Sequence, residues 1–313
     1  MMFKILLIVP PNITYKDYIT PQGNTKGTTK NGKEYGSLIT DMPLGVISLS
    51  AYIKRHLDCE VDLIDFNVEL NKIDRFQFGS FFEYFSSVLE TQYIDSGYDV
   101  IGISALFSTA YRSLIDLGEI CSAKHKQAII IAGGNVPTVS YKEIYRDTEA
   151  FHAVCHGEGD IPLLSLLQSE DMLGYFESSS NWITKEKIFK NTSFEHNFIE
   201  NLDDVPFDYS LINPEDYALN PTINSYAGVG EGKESFNIMT SRGCPFKCVF
   251  CASHATHGRT MRYESLERVK ANILELKEKG VGVITFEDDH FMGSKTRAYE
   301  IVRYVGDLGL TAF

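Results

Sequence analysis

Long apolar runs are missing from this sequence of 313 residues. The longest near the N-terminus and in the middle, Ile5–Val9 and Ala128–Ala132, have five residues each. A bilayer-spanning helix needs ~20 and the core of a secretory signal ~7–15, so a cytoplasmic protein with no membrane span is expected. An excess of positive charge is missing too: 29 Lys and Arg stand against 42 Asp and Glu, a formal net charge of -13. Proteins that coat nucleic acid carry a basic surface, so nucleic acid is not an expected partner. There is no internal repeat, and no GxGxxG follows the first strand-like segment, which removes the dinucleotide fingerprint. Cysteine is scarce and unevenly spread. Cys59, Cys121 and Cys155 are scattered, whereas Cys244, Cys248 and Cys251 fall within eight residues. In a reducing compartment such a cluster points to metal or redox chemistry rather than to a disulfide framework.

What is present begins with an alternation of strands and helices. Phe3–Val9 is a continuous apolar run halted by Pro10-Pro11, as in a strand buried on both faces of a parallel sheet. Residues 12–42, rich in Gly, Thr, Asn and Lys, read as a long loop. Pro43-Leu44-Gly45 opens a helix running to about Leu57. Further strands are expected at Glu60–Asp65, Tyr98–Ser104, Gln127–Ala132 and Ala150–Cys155, and helices over about Ala110–His125, Tyr141–Arg146 and Ile161–Gln168. This predicts an α/β domain over residues 1–168, a doubly wound, Rossmann-like parallel sheet. Such sheets bind ligands beyond the C-terminal ends of their strands. Those ends carry Pro10-Pro11-Asn12, Ser104-Ala105-Leu106, Gly133-Gly134 and Gly157-Glu158-Gly159. Taken alone, the glycines read as strand-end turns. Residues 169–234 break the alternation: Ser178–Asn191 reads as a short exposed hairpin, and Asn201–Asp208 with the Gly-rich stretch 228–232 as a linker.

The segment Ser241-Arg242-Gly243-Cys244-Pro245-Phe246-Lys247-Cys248-Val249-Phe250-Cys251 contains C-x3-C-x2-C. Buried apolar thiols account poorly for its polar, Gly- and Pro-containing surroundings. Zinc is one alternative, with His254 or His257 as a fourth ligand. Three thiolates on a loop also suit a [4Fe–4S] cluster with one iron left open. Phe236–Thr240, just before the loop, reads as a strand. After it come an amphipathic helix, Leu266–Lys279, capped by Ser265 with Arg268 and Lys270 outward, and a strand, Gly282–Phe286. That strand ends in Glu287-Asp288-Asp289-His290-Phe291; a helix over Ser294–Leu308 and the start of a third strand at Leu310–Phe313 follow. The acidic cluster suits a substrate ammonium, or is a solvated turn capping the next helix.

The order C-x3-C-x2-C, with an aromatic just before the last cysteine, resembles the radical S-adenosylmethionine (SAM) superfamily. Among its members the chain is most similar to those with an N-terminal cobalamin-binding domain. The similarity rests on Pro43-Leu44-Gly45, the S-x-L of Ser104-Ala105-Leu106, Gly133-Gly134, the GEGE-like Gly157-Glu158-Gly159-Asp160, Leu202-Asp203-Asp204-Val205-Pro206 and Ser241-Arg242-Gly243-Cys244. The D-x-H-x-x-G that supplies a lower histidine to cobalt is absent; Pro10-Pro11-Asn12-Ile13 stands in its place. Cobalamin would therefore bind without a histidine below it, and a vestigial domain that binds nothing is the alternative. The resemblance implies that Cys244, Cys248 and Cys251 hold three irons and that SAM chelates the fourth. It puts Phe250 near the adenine and Asp288 or Asp289 near the SAM amino group; Arg242 and Arg262 are candidates for carboxylate contacts, a surface ion pair being the alternative for either. Ser104, Leu106, Gly133 and Gly134 would line the cobalamin tail pocket.

The implied reaction is methylation of an unactivated carbon of a small molecule or natural product, with an electron donor such as flavodoxin or ferredoxin. Radical cyclisation or rearrangement and methylthiotransfer are alternatives; in the last, Cys59, Cys121 and Cys155 would bind a second cluster, although core thiols are the simpler reading. A non-catalytic cobalamin- or zinc-binding protein is an alternative of another class. A complete eight-unit barrel takes ~250 residues, and residues 235–313 are expected to form only the first units of a truncated (β/α) partial barrel. A fragment with an exposed sheet edge, unable to turn over alone, is the corresponding expectation.

Overall fold

The computed structural model describes residues 2–22, 27–38, 41–93, 97–217 and 234–312. It divides into two compact units, Met1–Leu38 with Ile53–Asn197, and Ile39–Tyr52 with Phe198–Phe313. The chain first runs through β1 (Phe3–Val9), α1 (Tyr15–Ile19), β2 (Gly27–Lys30), β3 (Lys33–Gly36), α2 (Leu44–His56), β4 (Cys59–Asp65), α3 (Phe66–Lys72) and α4 (Phe81–Gln92). It continues through β5 (Val100–Ser104), α5 (Tyr111–Lys124), β6 (Ile129–Gly133), α6 (Asn135–Asp147), β7 (Ala153–Cys155), α7 (Asp160–Leu167), α8 (Met172–Ser178), β8 (Trp182–Ile183) and α9 (Lys185–Phe189).

The main sheet has the order β4-β1-β5-β6-β7-β8, with five parallel strands and β8 antiparallel at the edge. Ile5, Leu6, Leu7 and Ile8 are buried, as a strand covered on both faces requires. The chain leaves β1 toward β4 and resumes on the other side with β5. The order therefore reverses between β1 and β5, where doubly wound sheets open a ligand crevice beyond their strand ends.

Three expectations are corrected in this unit. The loop expected over residues 12–42 contains α1 and the β2–β3 hairpin. Asn31 (φ 47°) and Gly32 (φ 76°) make the hairpin turn, both with the positive φ that a type I′ turn needs. Tyr18 and Tyr35 stack with centroids 5.2 Å apart and are buried against Phe76 and Phe81. The exposed hairpin expected at Ser178–Asn191 is not formed. Instead β8 extends the main sheet beside β7, Trp182 is only 1% exposed, and helices lie on either side of it in sequence. The Lys187 ammonium donates to the carbonyls of Phe176 and Ser179 at the end of α8, acceptors that a helix terminus leaves open, and to that of Trp182 in β8. Finally, α6 starts at Asn135, six residues earlier than expected, and carries non-helical backbone at Ser140.

The second unit contains β9 (Glu234–Ile238), β10 (Ser241–Arg242), α10 (Ser253–His257), β11 (Arg262–Tyr263), α11 (Leu266–Glu278), β12 (Val281–Phe286), α12 (Lys295–Asp307) and β13 (Thr311–Ala312). Strands β13-β12-β9 form a parallel sheet, and β10 with β11 a short antiparallel ribbon. Val269, Ile273 and Leu276 of α11 and Ala298, Ile301 and Val305 of α12 are buried, the three-to-four spacing of one helical face. Residues 201–208, expected as a linker, are partly built into this unit: Leu202 and Val205 are buried, and the Asp203 carboxylate accepts from Ser265 N at 2.7 Å. Ser265 Oγ in turn accepts from Arg268 N at 3.1 Å, the expected cap. Arg268 does not point outward as expected, since its Nε is buried. The Gly-rich stretch 228–232 and Phe313 lie outside the described residues.

Candidate functional site

At the C-terminal edge of the main sheet, four strand ends converge through backbone geometry. Asn67, set at the start of α3 by the Asp65 carboxylate, accepts from Asn12 N at 2.8 Å and donates to Pro10 O at 3.4 Å. Thr109 Oγ1 donates to Asn12 O at 2.7 Å, tying the turn after β1 to the segment after β5. Ala105 N donates to Gly133 O at 3.0 Å, and Val136 N to Ala105 O at 3.1 Å. Gly134 lies at φ 95°, and a Cβ there would sit 2.7 Å from Ala105 O; only glycine takes this turn without strain. Gly133 is different. A Cβ there would meet nothing nearer than Cys155 Cβ at 3.9 Å, so its missing side chain leaves room at the strand end. Leu106 and Phe107 on the segment after β5 and Val139 in α6 are exposed apolar side chains. Ser104 is half-buried and ends β5. The four residues expected to line the cobalamin pocket therefore share one edge. Gly157 (φ 85°) closes the next strand end, with its N–H on Thr138 Oγ1 at 3.2 Å.

The second candidate site is the cysteine loop, between β10 and α10. Gly243 starts it at φ 90°, where a Cβ would lie 2.3 Å from Thr260 O. Pro245 to Ala252 are exposed, including Phe246, Val249 and Phe250, while Cys244 is half-buried. Cys251 N donates to Cys248 O at 3.2 Å, and Cys244 N to Gly258 O at 3.3 Å. Arg259 holds Phe246 O at 2.6 Å. All three thiols are free of disulfides. The donor set fits an iron–sulfur cluster: three soft thiol ligands on one accessible loop, fewer than the four irons of the cluster. Among the described residues no three His, Cys, Asp or Glu side chains are gathered to hold a single metal ion; ligands that each take a different iron of a cluster need not converge on one point.

Carboxylates from the end of β12 reach this loop. Asp288 accepts from Thr240 N at 3.2 Å, Thr240 Oγ1 at 2.9 Å and Ser241 Oγ. Arg297 donates to Thr240 Oγ1 and to Thr240 O, both at 2.9 Å. Burial raises the Asp288 pKa, against the pull of these hydrogen bonds. Asp289 accepts from Gly243 N at 2.8 Å, His257 Nδ1 at 2.9 Å and Ser253 Oγ. Burial would raise its pKa, but His257, Ser253 and Gly243 together bring it down to about 2. Asp289 thus contacts the two ends of the cysteine loop and Asp288 the strand segment just before it, and both already serve donors of the chain. Glu287 accepts from Asn237 Nδ2 at 3.2 Å, and burial raises its pKa.

The remaining expected contacts divide. Arg242 is buried in the second unit, with Nη2 3.5 Å from Ser48 Oγ. The Arg262 guanidinium donates to Ile199 O and His257 O and lies 4.8 Å from the Phe198 ring centroid. Of the scattered cysteines, Cys121 and Cys155 are buried thiols whose pKa values desolvation pushes up to about 12, and Cys59 is half-buried on β4. Sequence reading missed Glu264, a carboxyl only 5% exposed whose pKa burial raises to about 8. It also missed the clamp around Asp289, whose partners lie far away in sequence.

A doubly wound sheet with an open C-terminal edge, followed by a parallel β/α segment bearing a three-cysteine loop, defines a two-cofactor protein class. Family models match both parts: the B12 binding domain over residues 41–167 and the radical SAM superfamily over residues 238–309. The chain thus carries the pair of domains found in radical SAM proteins with a cobalamin-binding domain. It is similar to the uncharacterized methyltransferase PH0819 of Pyrococcus horikoshii, 29% identical over 214 residues, or 68% of this chain and 44% of the relative. It is also 24% identical to the hopanoid C-3 methylase of Methylococcus capsulatus over 187 residues, 59% of this chain and 34% of that enzyme. In fold it resembles the radical SAM methyltransferase TsrM of Kitasatospora setae with cobalamin and a [4Fe–4S] cluster bound. There the TM-score is 0.57 at 13% identity, covering 97% of this chain and 52% of TsrM. The chain spans less than half the length of the two curated relatives.

Proposed function

We propose that this protein is a cobalamin-dependent radical SAM methyltransferase acting on an unactivated carbon of a small molecule. The observation that carries the reading is the placement of C-x3-C-x2-C on an exposed loop just after the first strand of a parallel β/α sheet, the end at which barrel active sites form. When bound, a [4Fe–4S] cluster supplies reductive cleavage of SAM, and cobalamin supplies methyl transfer.

The residues of the chain bind and orient. Cys244, Cys248 and Cys251 are the three thiol ligands, and the exposed Phe250 side chain offers an apolar face beside them. Asp288, fixed by Thr240 and Ser241, presents a carboxylate for a ligand ammonium. At the edge of the first sheet, Gly133 leaves space for a ligand, and Leu106, exposed on the segment after β5, offers apolar surface. No histidine stands in the turn after β1, so that turn supplies no imidazole to cobalt. The electron would come from a flavodoxin- or ferredoxin-type donor. A second reading, radical cyclisation, is favoured by similarity to the anaerobic magnesium-protoporphyrin IX monomethyl ester cyclase of Rubrivivax gelatinosus, 24% identical over 199 residues.

Because the chain spans less than half of its curated relatives, the test reads binding rather than turnover. Anaerobic reconstitution with iron and sulfide should give about four irons per chain, with the thiolate-to-iron absorption lost in Cys248→Ala. Hydroxocobalamin should be retained with a shifted spectrum. Stoichiometric zinc without labile sulfide would sink the cluster assignment, and failure to retain hydroxocobalamin would mean a vestigial first domain.

A further inference from the structure

We infer that Asp289 is a positioning residue for the cluster, a carboxylate that pins both ends of the cysteine loop and is itself oriented by His257. This rests on reading the loop as the cluster site. Gly243, immediately before Cys244, donates its N–H to Asp289 at 2.8 Å. Ser253, two residues after Cys251, donates its hydroxyl to the other carboxylate oxygen. A group from the end of β12 therefore bridges residues 243 and 253, between which all three cysteines lie. Few contacts within the loop could do this instead: Pro245 to Ala252 are exposed, and the backbone bond from Cys251 to Cys248 spans only one turn.

The chemistry selects a carboxylate for this place. Three donors point at it, and an ionised carboxylate is acceptor-only on both oxygens. An amide of the same shape would have to turn its NH2 toward the Ser253 hydroxyl, which must then accept instead of donate, and it would lose the charge that strengthens all three bonds. His257 Nδ1, at 2.9 Å, occupies the same oxygen as Gly243 N and fixes the rotation of the carboxylate. The side chains of His257 and Asp289 are 20% and 12% exposed, so water competes little for these bonds. Gly258 N donates to His254 O at 3.2 Å, and Gly258 O accepts from Cys244 N. The short helix carrying His257 thus reaches the first cysteine by a second route.

The test uses the full chain, reconstituted anaerobically, with four variants: Asp289→Asn, His257→Phe, His257→Asn and Cys248→Ala. Asparagine at 257 keeps an N–H donor near the Nδ1 position, whereas phenylalanine keeps only the ring. Asp289→Asn and His257→Phe are expected to lose iron to a chelator about tenfold faster than the parent and to show broadened electron paramagnetic resonance features in the reduced cluster. His257→Asn should restore the parent rate and line shape. Parent-like iron loss and line shape in both Asp289→Asn and His257→Phe would overturn the positioning role while leaving the cluster assignment intact. Iron and labile sulfide retained by Cys248→Ala would instead break the cluster assignment. Should Asp289→Asn fail to fold, the contrast between phenylalanine and asparagine at 257 decides alone: equal iron loss in the two overturns the inference.

Discussion

At the scale of single residues, the two glycines after β6 separate fold from ligand. Gly134 needs φ 95° and has Ala105 O where a Cβ would go. Gly134→Ala should therefore cost ~1–3 kcal/mol of stability, read by denaturant unfolding. Gly133→Ala adds a methyl group into open space at the strand end. It should leave stability within ~0.5 kcal/mol of the parent while weakening retention of hydroxocobalamin; unchanged retention would show that the cofactor does not approach this edge. Glu264 carries a pH dependence. Its pKa is raised from 4.5 to about 8, first by burial, so the neutral carboxyl favours the folded state. That contribution is full below about pH 4.5 and is lost as pH rises through about 8. Glu264→Gln should thus melt above the parent at pH 8.5, and the gap should close toward pH 5; a constant gap would contradict the assignment. The three candidate thiols were legible because they stand within eight residues of one another, a spacing visible without the fold. The role of Asp289 was not, because its partners at 257, 253 and 243 lie 32, 36 and 46 positions away.

At the scale of elements, strands were read well where both faces are buried. Phe3–Val9 agrees with β1 to the residue, and the central strands β5 and β6 and the edge strand β4 differ only at their ends. Between residues 12 and 38 the polar composition outweighed a local signal, Asn31-Gly32, whose positive φ angles close the β2–β3 hairpin. Helices α3 and α4 went unread although Asp65 and Ser80 cap them and a crossover between parallel strands calls for a helix there. The edge strand β8 is too short to show a period; its two residues depend on tertiary cover, with Trp182 packed edge-on to Phe176 at 5.2 Å. Trp182→Ala should destabilise the chain by ~3–5 kcal/mol, seen as a lowered urea midpoint. A change under ~1 kcal/mol would return this segment to the surface hairpin expected from sequence.

At the scale of the whole molecule, the charge of -13 and the short apolar runs directed attention away from nucleic acid, and no helix among the described residues is long and apolar enough to cross a membrane. Two sites remain, one at the C-terminal edge of each parallel sheet: glycines and apolar side chains in the first unit, and thiols with clamping carboxylates in the second. Substrate identity was not legible, because neither the acidic balance nor the motifs of the sequence name a molecule. The central claim is that the cysteine loop builds a cluster with an iron open to SAM. Electron paramagnetic resonance of the reduced, reconstituted chain, recorded without and with SAM, tests it most directly. The expected result is a [4Fe–4S] signal whose g-values shift when SAM is added; a signal that SAM leaves unchanged, or no cluster signal at all, would contradict it.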